Sequence, residues 1–410
     1  FFTLPIVATI LLPGQGLGQA SAWIKFGANA VPVYTWVDPI PHGGSLGEVR
    51  LVQPTVMAHG GAFGDRLRLL ATLNLEGWTI PNGELARGDW GEGFMDRRHP
   101  HTYVHEAMLS YVHPFGRSSA SVAAGKGFAP FGTDDPMSRP PLRYPVNHHF
   151  AQILERAVVM LGARVGPVLL EGALFNGDEP ERPESWPNMS RFGDSWSARF
   201  TVYPGAHLEL QGSHADVHSP EHREGFGTDQ SKWSASGRWT GSLRGSPAYA
   251  LVEWAQTSEA EGFFVFHSFL GEGAWTFGHH RLLYRFERTE RPEEQRLLDP
   301  FRSARPHLEN SILGTSRWTV HTAGYGFQLT LAKALAALPF VEISYGRISD
   351  VNGGLFNTES FYGKTSFWSL SIGSRLNVGL PLHRMGRYGV AQDTAAATGH
   401  PQHEHYDQTH

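Results

Sequence analysis

The stretch Asp65-Arg66-Leu67-Arg68-Leu69-Leu70-Ala71-Thr72-Leu73-Asn74-Leu75-Glu76 alternates apolar and polar residues almost without a break. Successive side chains of a β-strand point to opposite faces, so this period of two predicts a strand with one apolar and one polar face. The alternation returns at residues 207–211, 232–239, 281–287 and 365–380. A helical period occurs only in the short stretch Leu331 to Leu338. The sequence therefore predicts an all-β protein.

The length of the runs and of their connections favours a membrane barrel over a soluble sandwich. The runs span about 10 to 15 residues, which exceeds ordinary globular strands and suits a tilted membrane-crossing strand. Short connections are expected near Gly60 to Gly64, Pro114 to Gly116, Ala163 to Gly166, Pro204-Gly205, Ser242 to Gly245, Gly271 to Gly273 and Ala332 to Pro339. Long ones are expected near 79–100, 127–147, 176–192, 214–229, 289–311 and 348–364, with a briefer one near 257–261. Short turns on one side and long loops on the other are typical of outer-membrane barrels.

The order of turns also predicts the topology. The first strand between residues 48 and 380 ends at a short turn, so a periplasmic N-terminus requires one more strand within Ala22 to Val37. We therefore predict a transmembrane antiparallel barrel of about 16 strands over residues 21–390, with about 14 as the alternative and both termini in the periplasm.

Both ends of the chain differ from this body. Residues 1–20 combine an uncharged apolar run with small residues at Gly18 and Ala20, which predicts a secretory signal peptide. Residues 391–410 are interpreted as a His-rich disordered tail in the periplasm. Its imidazoles could bind a divalent transition metal such as Cu, Zn or Ni, and the alternative is a solvated terminus without a ligand. The candidate tail ligands are His400, His403, His405 and His410.

Composition excludes several classes of protein. The 410 residues include no Cys, which rules out disulfide scaffolds, zinc-thiolate sites and thiol nucleophiles. The net charge of -5 gives no electrostatic footprint for nucleic acid. A mean hydropathy of -0.29 excludes several spanning helices. A β-barrel remains compatible with these values, because only every second strand residue needs to be apolar.

If the apolar faces contact lipid, the opposite faces line the lumen. We expect paired charges in a wet interior, which are interpreted either as a polar channel or as a structural salt-bridge network. The predicted lumen residues are Arg66, Arg68, Glu76, Glu106, Glu171, Arg199, Glu209, Lys232, Arg238, Glu253, Arg281, Arg285, Glu287, Glu342 and Arg375.

The densest chemical motif is Asp96-Arg97-Arg98-His99-Pro100-His101, where a long loop enters a strand. Two further motifs reach the same long-loop rim, so a metal or ligand site there is one hypothesis. Loop-anchoring hydrogen bonds and salt bridges are the other, because no strict metal spacing is present. The rim candidates are Asp96, Arg97, Arg98, His99, His101, His148, His149, Asn176, Asp178 and Glu179.

These segments carry a family resemblance. The run from His59-Gly60 through Asp-Arg-Arg-His-Pro-His (96–101), Pro-Met-Ser-Arg-Pro (136–140), His148-His149, Phe-Asn-Gly-Asp-Glu-Pro (175–180) and Arg-Phe-Glu-Arg (285–288) resembles a family of poorly characterised Gram-negative outer-membrane barrel proteins. The resemblance implies a barrel fold and an outer-membrane location, and it suggests no substrate. Arg98, Thr102 and Asp178 depart from the family's usual Gln, Asp and Arg.

The leading functional hypothesis is a porin-like barrel that passes or binds a small solute or a metal ion. The alternative is a non-conducting structural or metal-sequestering barrel. An enzyme is not predicted, although some outer-membrane barrels are hydrolases, because no Gly-x-Ser-x-Gly motif is present. The expected surroundings are outer-membrane lipid and lipopolysaccharide, and the sequence does not specify an oligomeric state.

Overall fold

The computed structural model describes residues 22–38, 46–80, 101–142, 144–147, 150–294, 312–332, 334–351 and 357–392. These residues form one antiparallel sheet of 17 strands. The sheet closes on itself because the first strand pairs with both the second and the last, with Gly27 opposite Gly379 at the closure. The predicted all-β barrel is confirmed.

The element bounds are as follows. The strands are β1 (Trp23–Val37), β2 (Leu46–Ala62), β3 (Leu67–Asn74), β4 (Val104–Phe115), β5 (Ser118–Gly127), β6 (Arg156–Val165), β7 (Val168–Phe175), β8 (Ser195–Val202), β9 (Leu208–Val217), β10 (Gln230–Leu243), β11 (Ser246–Glu259), β12 (Phe264–Phe277), β13 (His280–Glu294), β14 (Ile312–Phe327), β15 (Leu329–Ala332), β16 (Leu335–Asp350) and β17 (Ser366–Gly379). Two short helices, α1 (Glu76–Thr79) and α2 (Thr358–Tyr362), lie in the connections.

Strand β15 is a four-residue continuation of β14, so 16 strands build the wall, as predicted. The helical period of Leu331 to Leu338 does not correspond to a helix among the described residues. This stretch belongs to the hairpin of β15 and β16, in which Leu329 lies opposite Ala337. Sheet neighbours on both sides satisfy the backbone of β16, and a helical pattern of only eight residues cannot compete with that pairing.

The connections alternate between short and long, as the sequence indicates, with one exception. The turn expected at Gly271 to Gly273 is wrong, since both glycines lie inside β12, opposite Val252 and Ala250 of β11. The chain reverses instead at Gly278, whose φ of 55° suits a tight turn that L residues rarely form.

The outer face of the barrel is apolar. Exposed outward residues include Leu69, Leu109, Leu161, Leu170 and Leu210, each of which alternates with an inward neighbour. An apolar face of this kind suits lipid, and the hydrogen-bonded closure leaves no open sheet edge. Among the described residues, no helix has the length and apolarity needed to cross a membrane.

The interior of the barrel is packed. Two segments enter it: residues 128–155, here called the interior loop, and residues 380–392, here called the C-terminal segment. The uniformly polar, wet lumen that the sequence predicts is therefore wrong for one side. There the inward faces of β4, β6 and β7 carry apolar residues beside polar ones such as Glu106 and Glu171, because the interior loop provides apolar partners. The resulting cluster includes Met108, Val158, Met160 and Phe175 from the wall, Phe128, Phe131, Met137 and Tyr144 from the loop, and Tyr388 from the C-terminal segment.

Candidate functional site

The interior loop is fixed to the barrel wall by wall carboxylates that accept hydrogen bonds from loop backbone and side-chain amides. Glu342 accepts from the Leu142 amide over 2.9 Å, and Glu287 accepts from the Val146 amide over 2.6 Å. Glu253 accepts from Asn147 Nδ2 over 2.9 Å. Charged acceptors satisfy buried amides more strongly than neutral ones do, which explains why an irregular loop is stable inside a barrel.

The C-terminal segment re-enters the barrel after β17. Arg199 Nη2 donates to the Gly386 carbonyl over 3.0 Å, and Arg68 Nη1 donates to the Gly389 carbonyl over 3.2 Å. The Val390 amide donates to Ser121 Oγ over 3.1 Å, and the Val390 side chain is fully buried. Ala391 is also buried, so the packed part of the chain continues past residue 390.

The centre of this packing is a guanidinium held between two carboxylates. Arg384 donates to Asp134 of the interior loop from Nε over 2.8 Å and from Nη2 over 2.8 Å. The same guanidinium donates to Glu209 of β9 from Nη1 over 2.9 Å and from Nη2 over 3.0 Å. Both carboxylates are thus engaged bidentately, the geometry in which Arg binds carboxylates most specifically. We call Arg384, Asp134 and Glu209 the carboxylate clamp.

Two more arginines lie beside the clamp, so three guanidinium groups surround its two carboxylates. Arg387 Nη2 donates to Gln211 Oε1 over 2.7 Å and to Glu209 over 3.2 Å. Arg238 of β10 donates to Asp134. Burial alone would raise the pKa of Asp134, but the charges of these arginines and of Arg384 hold it well below its usual range. The clamp is therefore ionised under ordinary conditions.

A second contact joins the C-terminal segment to β4. Tyr388 Oη donates to Glu106 Oε2 over 2.8 Å and accepts from the Phe128 amide over 3.1 Å. His383 Nε2 lies 2.6 Å from Glu106 Oε1, and its Nδ1 lies 3.1 Å from His59 Nε2. The segment thus bridges the wall and the interior loop.

A histidine cluster lies beside the interior loop. His101 Nδ1 lies 3.0 Å from Glu76 Oε2, and His105 Nδ1 lies 2.5 Å from Glu155 Oε1. Burial disfavours the charged imidazole of His101, but the hydrogen bond and charge of Glu76 outweigh it and raise its pKa to about 9. The buried Nε2 of His105 and Oδ2 of Asp135 have no hydrogen-bond partner among the described residues and lie 3.9 Å apart.

Most of the predicted lumen residues do face the interior, but their partners differ from the expected mutual pairing. Glu171 with Arg199, over 2.7 Å, pairs two predicted wall charges directly. Arg285 pairs with Glu272, and Arg375 donates to the Met137 carbonyl. The interior loop or the C-terminal segment supplies partners for Arg68, Glu106, Glu209, Arg238, Glu253, Glu287, Glu342 and Arg375.

The other predicted lumen residues are Arg66, Glu76, Lys232 and Arg281. Arg66 is exposed in the turn before β3 and does not line the lumen, because the strand begins one residue later. Glu76 is buried, but it lies on α1 and not on a strand. Lys232 is buried on β10. Arg281 borders a cavity of about 20 Å³ with Arg375 and Glu342, which is room for about one water molecule.

The rim candidates that the structure describes behave as loop anchors. Asn176 Oδ1 accepts from the Ala157 amide, and its Nδ2 donates to Asp178 over 2.8 Å. Glu179 accepts from Arg156 over 3.1 Å. The described residues contain no group of three or more His, Asp or Glu arranged to hold a metal. Asp96, Arg97, Arg98, His99, His148 and His149 lie outside the described residues, as do the tail histidines His400, His403, His405 and His410.

Sequence reasoning missed the residues that dominate the interior. Arg384 and Arg387 fall after the last strand, where alternation gives no information, and Asp134 falls in a long loop. One signal was available: the segment 380–391 keeps apolar and aromatic residues such as Leu382, Met385 and Tyr388, which a solvated terminus does not need.

Three solved outer-membrane proteins superpose on this chain. An anion-selective porin from Comamonas acidovorans superposes with a TM-score of 0.50 at 12% identity, covering 88% of this chain and 100% of that one. The outer-membrane channel DcaP of Acinetobacter baumannii gives 0.48 at 8% identity, covering 88% and 97%. The outer-membrane protein OmpT of Vibrio cholerae, in its trimer form, gives 0.48 at 10% identity, covering 87% and 99%.

No protein-family model matches the chain, and no curated protein matches it in sequence. The superposition with the Comamonas porin therefore shows the fold alone. The fold is that of an outer-membrane porin-type barrel, here with a loop and a C-terminal segment folded into its interior.

Proposed function

We propose that this chain is a porin-like channel of the bacterial outer membrane that passes or binds a small solute. We further propose that its path is closed by the C-terminal segment. The observation that carries this proposal is the carboxylate clamp, which fastens a non-strand segment across a charged barrel interior. The segment can leave without breaking any pairing between strands, because its contacts with the wall and the interior loop run through side chains and single backbone groups.

The charge of the interior supports solute passage. A barrel that served only as a rigid support could fill its interior with apolar side chains, which cost no desolvation. Here buried charges from the wall, the loop and the C-terminal segment meet at one place. Once the C-terminal segment moved, these charged side chains would line a polar path through the barrel.

The test uses a disulfide to fix the segment. The contact between the Val390 amide and Ser121 Oγ limits the two Cα atoms to a separation of no more than about 7 Å, the upper range for a disulfide. Because the chain has no Cys, any response to oxidation of Ser121→Cys/Val390→Cys comes from the introduced pair. We expect planar-bilayer current steps from the wild type and the reduced variant, and silence from the oxidised variant. Each single-Cys variant is a control, and the oxidant should leave its current steps unchanged.

Two results would contradict the proposal. Equal currents from the oxidised and reduced variant, with the disulfide verified by mass, would show that the C-terminal segment does not close the path. Silence from every folded, heat-modifiable sample would favour the second candidate, a non-conducting structural barrel, for which the packed interior is the supporting observation.

A metal ion as the cargo or ligand remains a proposal that rests on His99 and the tail histidines. Elemental analysis of the full chain, of a chain ending at residue 391 and of His99→Ala/His101→Ala tests it. Equal, near-zero metal in all three would reject it. We also propose contact with lipopolysaccharide, because a barrel that spans the outer membrane crosses its outer leaflet.

A further inference from the structure

We propose that the carboxylate clamp is a binding site for small guanidinium compounds, and that Arg384 occupies it as a built-in competitor. The inference rests on the proposed function, because the site becomes available only when the C-terminal segment leaves. Four hydrogen bonds between one guanidinium and two carboxylates, two to each, define the site.

The groups that the guanidinium of Arg384 and Nη2 of Arg387 leave behind are acceptors. Asp134 and Glu209 each keep both oxygens, and Gln211 offers Oε1, which Arg387 otherwise occupies. Gln211 Nε2 is already used, because it donates to the Gly132 carbonyl. A planar cation with five N–H donors satisfies this arrangement, and an anion does not.

The charge balance of the site also favours a cationic ligand. Loss of Arg384 and Arg387 leaves the two carboxylates with Arg238, which contacts Asp134. Two further cations near these carboxylates are already paired, Arg199 with Glu171 and Arg139 with Glu253. One negative charge therefore lacks a partner in a site walled by protein, where uncompensated charge is costly and a small cation is stabilised.

The side chains of Arg384 and Arg387 define the size of the site that their departure would open. The side chains of Arg384 and Arg387 are both buried, and their removal opens a space that fits a guanidinium on a short aliphatic chain. Glu209 is anchored on β9, whereas Asp134 is set by the interior loop through the Gly132 amide, which donates to Ser213 over 2.9 Å. The pairing of β9 with its neighbours and the contacts of the interior loop thus hold both residues in place when the segment is absent.

The experiment uses three full-length variants and agmatine as the probe. Arg384→Gln removes the competitor, so we expect frequent openings that agmatine blocks. Arg384→Gln/Glu209→Gln should open equally but require about tenfold more agmatine or higher, the loss expected for one charged hydrogen-bonding partner. Arg317→Gln is the matched control, since Arg317 pairs with Glu290 away from the clamp, and it should behave as the wild type.

Calorimetric titration of agmatine into the same purified variants gives a second readout that does not need current. Binding to Arg384→Gln that weakens about tenfold in the double variant supports the site, even if no variant conducts and the proposed function fails. Equal agmatine affinity in both variants, or no binding to Arg384→Gln, overturns the inference while leaving the channel proposal intact. Propionate serves as the anionic comparison, and binding of propionate in preference to agmatine would also overturn it.

Discussion

Buried single residues in this barrel are stabilised by partners distant in sequence. Glu171 and Arg199 form a bidentate pair across neighbouring strands, over 2.7 and 2.8 Å. Arg384 reaches Asp134, which lies 250 residues earlier in the chain. A buried charge without such a partner costs several kcal/mol, so each of these residues fixes the position of the element that carries it.

His101 is expected to stay protonated at neutral pH. Its folded pKa of about 9 lies above the ordinary 6.5, so the protonated form stabilises the fold fully below about pH 6.5. This contribution is lost as the pH rises through about 9. NMR of labelled histidine in detergent micelles, assigned with His101→Asn, should show a midpoint near 9 that falls in Glu76→Gln.

The control for this titration is Glu290→Gln, which removes a carboxylate that contacts His267 and should leave the His101 midpoint unchanged. A His101 midpoint near the ordinary value in the wild type would contradict the assignment. It would mean that Glu76 does not hold the imidazole in its charged form.

At the scale of elements, the interior loop depends on one backbone position. Gly132 has a φ of 60°, and a Cβ at this position would lie 1.7 Å from the Ala151 carbonyl oxygen. The loop folds back on itself so closely that only glycine fits. The loop therefore requires both the left-handed conformation and the missing side chain.

We expect Gly132→Ala to displace the interior loop and to destabilise the barrel by more than the roughly 1 to 2 kcal/mol of left-handed strain alone. Gly166→Ala is the control, because Gly166 has a φ of 56° but nothing within 4 Å of the added Cβ. Urea unfolding compares their free energies, and trypsin digestion of proteoliposomes should cleave within 128–155 only in Gly132→Ala. Equal stability and equal protection of the two variants would refute this account of the loop.

At the scale of the whole molecule, closure of the barrel interior depends on charges that keep their ionisation over a wide range. The pKa of Asp134 is held well below the ordinary 3.8, so its stabilising contribution is present above that value and is lost only as the pH falls through the lower folded pKa. Arginine stays protonated throughout. The clamp is therefore insensitive to mild acid.

We expect the open probability of the wild type in planar bilayers to be the same at about pH 5 and about pH 8. Arg384→Gln, which lacks the clamp, serves as the open comparison at both values. A clear increase in opening at the lower pH would contradict control by the clamp.

The alternation of single residues was sufficient to predict the wall. Leu69 and Leu161 point outward and Arg68 and Glu171 point inward because the direction of a strand side chain depends only on its position in the chain. The alternation of short turns and long loops predicted the strand number and orientation. Like the side-chain direction, the length of a connection can be read from adjacent residues. The misplaced turn at Gly271 to Gly273 shows the limit, since glycine composition does not reveal which glycine adopts a positive φ.

Sequence alone therefore determined a barrel of 16 strands with an apolar outside and charges within, because those properties depend on near neighbours in the chain. Only the tertiary structure decided that the interior is packed, and that Arg384 lies between Asp134 and Glu209. These partners are 250 and 175 residues from Arg384, and neither the loop nor the C-terminal segment has a period that predicts its direction. Contacts of this kind depend on which charges and apolar groups lack a partner once the wall has closed. That depends on the whole molecule, so a local sequence pattern cannot predict it.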